Sequence, residues 1–316
     1  MPPISPFFVV GSDRSGTTML RLMLNAHGEL YAPPETHFFS DLMDVLPLTG
    51  PLSLEQVATA HQIMTSHRRW RDLEMSPEEC AAILAGLEAP GLADVLQAVF
   101  SNLSKRHGKK RWGDKTPDYV VELERLATVF PAAKFIHVIR DGRDVCLSLL
   151  EKGWRGTSPS AVGRYWSHHV GTGVRVGRSL PRDSYFEVHY EGLVLDTEPA
   201  LREVCDFLGV PFYESMLRFY EQASGNVAAW QRQHHEKTTR PPRPSDVTRW
   251  KREATPYQVI AFEAYAKNTM EATGYNPQYA GAAATIPRTF ALLEGVARWI
   301  KARVTRSQPP IRVRAH

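Results

Sequence analysis

Cysteine is scarce in this chain. The three that occur, Cys80, Cys146 and Cys205, stand far apart with no C-x-x-C pair, which argues against a disulfide framework and a cysteine-held metal site. Long apolar runs are missing as well: none approaches the roughly 20 residues that a bilayer-spanning helix needs. The first apolar strand starts almost at the first residue, so neither a signal peptide nor an anchor helix is expected. A large charge imbalance is also absent, with 38 Lys and Arg against 34 Asp and Glu for a net +4. That balance does not suggest a nucleic-acid partner, although it suits an anionic ligand. No internal repeat and no low-complexity array occurs. These absences leave a soluble cytoplasmic protein, and 316 residues suffice for one elaborated α/β domain or two.

What is present begins at Phe7. Phe7 to Val10 is an apolar run of strand length, Gly11 to Gly16 brings turn formers, and Met19, Leu20, Met23 and Leu24 recur at helical spacing. Strand, glycine-bounded loop and helix aim backbone N–H groups and a helix N-terminus at an anion. The spacing is nearly the P-loop GxxxxGK[ST], but Thr17 fills the lysine slot and the nearest cation, Arg14, lies inside the loop. Such a loop is poorly equipped for nucleotide triphosphate hydrolysis. It still suits a phosphate or sulfate.

Further along, residues 29–32 are a candidate second strand, stopped by Pro33-Pro34. Glu35 and His37 follow, at the strand end where α/β sheets present ligand-binding groups; a helix N-cap region would use the same residues. Residues 40–105 are an insertion with helical periodicity, a cap over the site. In it Ser53 with Gln56 and Ser76 with Glu79 have capping-box spacing. The KRHGKKR run from Lys105 to Arg111 reads as solvated surface. Trp112 to Pro117 (WGDKTP) then delivers Asp114 and Lys115 at a strand end, and a helix follows through Tyr119, Val120, Leu123 and Leu126. Phe135 to Ile139 is a buried strand with Arg140 at its carboxyl end and Ser148 on the helix behind it, a fork donor and a hydroxyl both suited to phosphate.

A long helix is expected over 160–178 and the last clear strand over Tyr185–His189, followed by Tyr190-Glu191. Helices are also expected at 199–209, 213–220 and 255–273. Residues 223–248 have no apolar period and read as a long functional loop. From 281 the composition changes: Phe290, Leu293, Val296, Ile300 and Val304 form an apolar stripe among arginines. This tail is expected to pack on the body or a dimer mate, or else to meet acidic lipid as a peripheral contact. Residues 1–280 are thus expected to form the main domain and 281–316 a basic amphipathic tail.

The order FFVVGSDRSGTTML, PPETHFF, GDKTP, AKFIHVIRDGRDVCLSLL, VHYEGLV…FLGV and RWK resembles the sulfotransferase superfamily over about residues 5–275. It is most similar to the branch of the protein-tyrosine sulfotransferases and related bacterial enzymes. The resemblance implies a P-loop-like α/β fold, a parallel sheet flanked by helices. It also implies transfer of a sulfonate from 3′-phosphoadenosine-5′-phosphosulfate (PAPS), with adenosine 3′,5′-bisphosphate as product and no metal required. By that resemblance Ser12, Asp13, Arg14, Ser15, Gly16, Thr17 and Thr18 form the 5′-phosphosulfate loop, with Arg14 where many members carry lysine. Arg140 and Ser148 match the pair holding the 3′-phosphate, and Lys152, Tyr190 and Arg249 match further nucleotide contacts. Glu35 matches the catalytic base and Lys115 a lysine beside the transferring sulfonate, so Glu35, Lys115 and Arg14 are the expected catalytic groups. The family's C-terminal nucleotide loop aligns poorly with 223–248, and its disulfides have no counterpart here.

A sulfonate passing between two oxygens carries its charge on peripheral oxygens, so positioning, cations and backbone donors should do the catalysis. Of Glu35 and His37, only one is expected to reach the acceptor, and the resemblance favours the carboxylate. The acceptor is a hydroxyl, or an amine, of a carbohydrate, a small molecule or a peptide. Two other functions use the same loop: a small-molecule kinase, disfavoured by the missing loop lysine, and a nucleotide-binding module without chemistry.

Overall fold

The computed structural model describes residues 5–153, 155–221 and 240–279. The tail from 281, its boundary with the main domain and most of the 223–248 segment therefore lie outside the described residues.

Five short runs pair into one sheet: β1 (Phe7–Gly11), β2 (Leu30–Tyr31), β3 (Arg111–Lys115), β4 (Lys134–Ile139) and β5 (Tyr185–His189). The order is β2-β3-β1-β4-β5, and every pairing is parallel. Parallel strands need crossovers, usually helical, and these cover both faces. Alternation along β1 shows the consequence. Phe8 and Val10 enter one apolar core with Phe39, Phe100, Trp112 and Phe135, while Phe7 and Val9 enter the other with Leu20, Ile136 and Val188. Each such side chain, fully removed from water, stabilises the fold by about 1.5–3 kcal/mol.

The helices are α1 (Thr17–Asn25), α2 (Phe38–Val45), α3 (Leu54–Ser66), α4 (Pro77–Ala85), α5 (Leu92–Arg106) and α6 (Leu123–Val129). They continue with α7 (Gly142–Lys152), α8 (Pro159–Gly177), α9 (Tyr190–Leu195) and α10 (Thr197–Leu208). After the undescribed stretch come α11 (Trp250–Glu253) and α12 (Pro256–Ala272). Both capping boxes read from sequence close, Ser53 with Gln56 and Ser76 with Glu79, because that motif is satisfied within four residues and needs no tertiary help. Two expected helices differ. Residues Pro117–Glu122 and Glu214–Glu221 are 3-10 turns, the former opened by a proline that leaves one backbone donor fewer to bond.

Two compact units can be distinguished: Met1–Asp141 with His168–Arg249, and Gly142–Ser167 with the segment from Trp250 onward. The first holds the sheet and the helical insertion. Its KRHGKKR run is less solvated than the charge suggests. Arg111 is buried and donates to the carbonyls of Ser5 and Leu208, while the Lys109 ammonium closes the C-terminal end of α1 on the carbonyls of Asn25 and His27. The second unit is built around a buried ion pair, Arg143 to Glu263 at 3.0 Å. Arg143 also lies 3.7 Å over the Trp250 ring, and Glu263 accepts from the Gln278 and Tyr279 amides, so no buried charge is left uncompensated. Among the described residues no helix is long and apolar enough to cross a membrane.

Candidate active site

The loop from Ser12 to Gly16 leaves the carboxyl end of β1 and enters α1, as the sequence spacing implied. It is bent by left-handed conformations at Arg14 (φ 65°) and Gly16 (φ 102°). Glycine at position 16 has a specific reason, since a Cβ there would stand 2.4 Å from the Tyr190 ring. The Ser12 and Ser15 hydroxyls are fully buried and make no hydrogen bond, and the N-terminus of α1 receives no side-chain cap. Unpartnered buried donors cost about 1–3 kcal/mol each, a cost that an anion seated in the loop would relieve. The loop therefore fits the phosphosulfate end of PAPS. Gly16→Ala is expected to displace Tyr190 and to weaken adenosine 3′,5′-bisphosphate at least tenfold, read by calorimetry, with a loss of stability as well.

Arg140, just past β4, is buried. It donates to the Arg14 carbonyl at 3.1 Å and to the Asp246 carbonyl at 3.0 Å, and its guanidinium stacks 4.3 Å from the Tyr190 ring centroid. Asp246 is itself gripped bidentately by Arg240, at 2.9 and 2.8 Å. Arg140 thus joins the loop, the start of α9 and the 244–246 turn. Arg249 is half-buried just before α11, with Asp13 and Arg14 half-buried in the loop and Thr17 and Thr18 buried at the head of α1. The other two expected contacts are on α7 of the second unit, Ser148 buried and Lys152 exposed.

Glu35 and Lys115, 80 residues apart in sequence, meet at 2.5 Å. Lys115 ends β3 and is only 1% exposed; its ammonium also donates to the Thr18 hydroxyl at 3.1 Å, which ties the pair to the loop. The other Glu35 oxygen faces His37 Nε2 at 3.0 Å and the Arg69 guanidinium at 4.0 Å. Burial alone would raise the Glu35 carboxyl, yet the Lys115 ammonium and the His37 bond outweigh it and hold the group well below the usual carboxylate range.

The expectation that only one of Glu35 and His37 faces the site fails. Residues two apart on an extended chain share a face, and here the backbone also turns left-handed at His37 (φ 61°). The cause is Thr36 between them. Its hydroxyl donates to Asp114 at 2.8 Å and accepts from the Tyr119 hydroxyl at 2.8 Å, while its amide donates to Thr116 at 3.1 Å. Tyr119 in turn accepts from the Phe39 amide at 3.0 Å. With Thr36 and Phe38 both held inside, the turn must be made at His37. Asp114 is fully buried, and burial, opposed by the bonds from Thr36 and Thr116, pushes its carboxyl up to about 6.

Sequence reading missed Thr36, Asp114 and Tyr119 as positioning groups, and Arg69 from the insertion. The Asp in GDKTP was legible as a strand-end residue, whereas nothing local distinguishes Arg69 from Arg68 or Arg71. Among the described residues no group of acidic, His or Cys side chains could hold a metal ion.

The comparisons agree with this geometry. A family model described as "Sulfotransferase family" matches residues 6–215. Protein-tyrosine sulfotransferase A of Caenorhabditis elegans is 26% identical over 229 residues, covering 70% of this chain and 54% of that protein. Protein-tyrosine sulfotransferase 1 of Danio rerio is 28% identical over 221 residues, covering 68% and 56%. The chain thus spans about half the length of these curated relatives. The sulfotransferase domain of the Synechococcus PCC 7002 olefin synthase superposes with a TM-score of 0.63 at 24% identity, covering 86% of this chain and 94% of that domain. A likeness at that identity shows the shared α/β fold.

Proposed function

Because the chain belongs to the sulfotransferase family, we propose that it transfers a sulfonate from PAPS to an acceptor hydroxyl or amine. The observation that carries the reading is the loop of buried, unpartnered Ser12 and Ser15 hydroxyls joined through Thr18 to the Lys115–Glu35 pair. An anion cradle and a proton-handling carboxylate then share one site. Ser12 to Thr18 would hold the 5′-phosphosulfate, and Arg140, with Tyr190 and Arg249, the nucleotide; Ser148 and Lys152 belong to the same assignment by resemblance. When bound, PAPS supplies the sulfonate and an adenosine bisphosphate leaving group. Arg14 and Lys115 offer cations for charge on the peripheral oxygens, and donors fixed before reaction need no reorganisation. The Glu35–His37 pair receives the acceptor's proton.

A tyrosine phenol is one acceptor class, from the names of the relatives, beside carbohydrate and small-molecule hydroxyls. A cytoplasmic setting belongs to the same proposal, supported by three free, buried cysteines. Peripheral membrane or dimer contact through the 281–316 tail rests on its sequence alone. The test is thermal shift and turnover with the two kinds of nucleotide. Adenosine 3′,5′-bisphosphate is expected to raise the melting temperature more than ATP with Mg²⁺ does, and transfer from labelled PAPS should proceed unchanged in EDTA. Activity that requires Mg-ATP would make the chain a kinase instead.

A further inference from the structure

Glu35 has little capacity left to take a proton. One of its oxygens is 2.5 Å from the Lys115 ammonium and the other is 3.0 Å from His37 Nε2. Brønsted behaviour makes a carboxylate so strongly stabilised as an anion an ineffective base for a hydroxyl proton. His37 is placed differently. Its ring is 28% exposed against 17% for Glu35, and among the described residues its one hydrogen bond is the one to Glu35. A carboxylate accepts only from N–H, so the bond to Glu35 puts the proton of the neutral imidazole on Nε2 and leaves the lone pair on Nδ1.

We propose that Nδ1 of His37 is the general base of the transfer and that Glu35 orients it, the carboxylate fixing the tautomer and the Lys115 ammonium fixing the carboxylate. The arrangement has the logic of a nucleophile–imidazole–carboxylate triad, with the acceptor in the nucleophile's place. The step balances. The acceptor O–H bond breaks and its proton goes to Nδ1. The acceptor oxygen forms a bond to sulfur as the bond between sulfur and the bridging phosphate oxygen breaks, and that electron pair leaves on the phosphate. The imidazolium is then paired with Glu35 across 3.0 Å. The left-handed backbone at His37 (φ 61°) costs of order 1–3 kcal/mol. It is held by the Thr36 anchor and curls the ring back onto Glu35.

The proposal rests on the sulfotransferase reading, and the experiment separates the two. Long-range proton–nitrogen NMR of the full chain, with His37 assigned through a His37→Asn spectrum, is expected to show Nε2 protonated and Nδ1 bare in the neutral ring. Turnover of His37→Asn with saturating PAPS should fall about 10²-fold or more, with bisphosphate affinity by calorimetry within about twofold of the wild type. His37→Ala should recover activity when imidazole is added. A His37→Asn enzyme within threefold of wild-type turnover, a neutral ring protonated on Nδ1, or a folded His37→Ala enzyme that imidazole leaves inert overturns the proposal. A wild-type chain that transfers nothing from PAPS would instead overturn the function from which it starts.

Discussion

Glu35→Gln is expected to lower turnover by two orders of magnitude or more and, unlike an ordinary active-site change, to lower the melting temperature too. The catalytic loss follows from the carboxylate's hold on His37 Nε2 at 3.0 Å. A Gln that turns its amide toward the ring would favour the wrong tautomer, and tautomer errors of that kind have cost about 10⁴ in turnover in a serine protease. The stability loss has a separate cause. Lys115 is 1% exposed and has Glu35 2.5 Å away, so the substitution strands a buried ammonium, at a cost of about 3–5 kcal/mol for a broken buried pair. The variant Glu35→Gln/Lys115→Met should recover the melting temperature, because it removes both charges together, while turnover stays lost. If the double variant melts as low as the single one, the pair is not what Glu35 contributes to stability. The sign with pH is fixed by the depressed carboxyl: the contribution is complete above the ordinary carboxylate value near 4.3 and is lost as pH falls toward the folded value. The stability gap between wild type and Glu35→Gln should therefore narrow on acidification below about pH 4.

Arg140→Ala is expected to weaken adenosine 3′,5′-bisphosphate more than adenosine 5′-phosphate, by about tenfold or more, because a charge-assisted bond to the 3′-phosphate is worth about 1.5–3 kcal/mol. The structure adds a second, smaller loss that both ligands should share. Arg140 also holds the carbonyls of Arg14 and Asp246, and without it the loop loses a support on the side of α9. Calorimetry with the two nucleotides separates these effects. Equal weakening would make Arg140 a strut of the cradle and leave the 3′-phosphate to other groups. Arg140→Lys should be only a partial rescue, since an ammonium cannot reproduce a planar fork that bonds two carbonyls and stacks on Tyr190.

The parts of this protein written in its sequence are those whose physics closes within a few residues. The apolar run 7–10 could only be a buried strand, Ser53 with Gln56 and Ser76 with Glu79 could cap their own helices, and Gly16 was needed where the loop turns left-handed. Those local facts, in their order along the chain, were enough for the fold class and for the anion loop. Tertiary structure decided which distant groups meet. Lodging β3 between β2 and β1 puts Lys115 beside Glu35 and Asp114 beside Thr36 across 78 to 80 intervening positions, a proximity set by non-local strand pairing and not by spacing. The same holds for Arg69, which comes from a turn of the insertion to within 4.0 Å of Glu35 and carries no local mark of that role. It holds for His37 as well, whose direction depends on Thr36 being held from β3 and the Pro117–Glu122 turn. A sequence read alone can supply the carboxylate, the imidazole and the lysine; their partners follow from packing, because buried charges and unsatisfied hydroxyls take whatever neighbours the sheet order gives them.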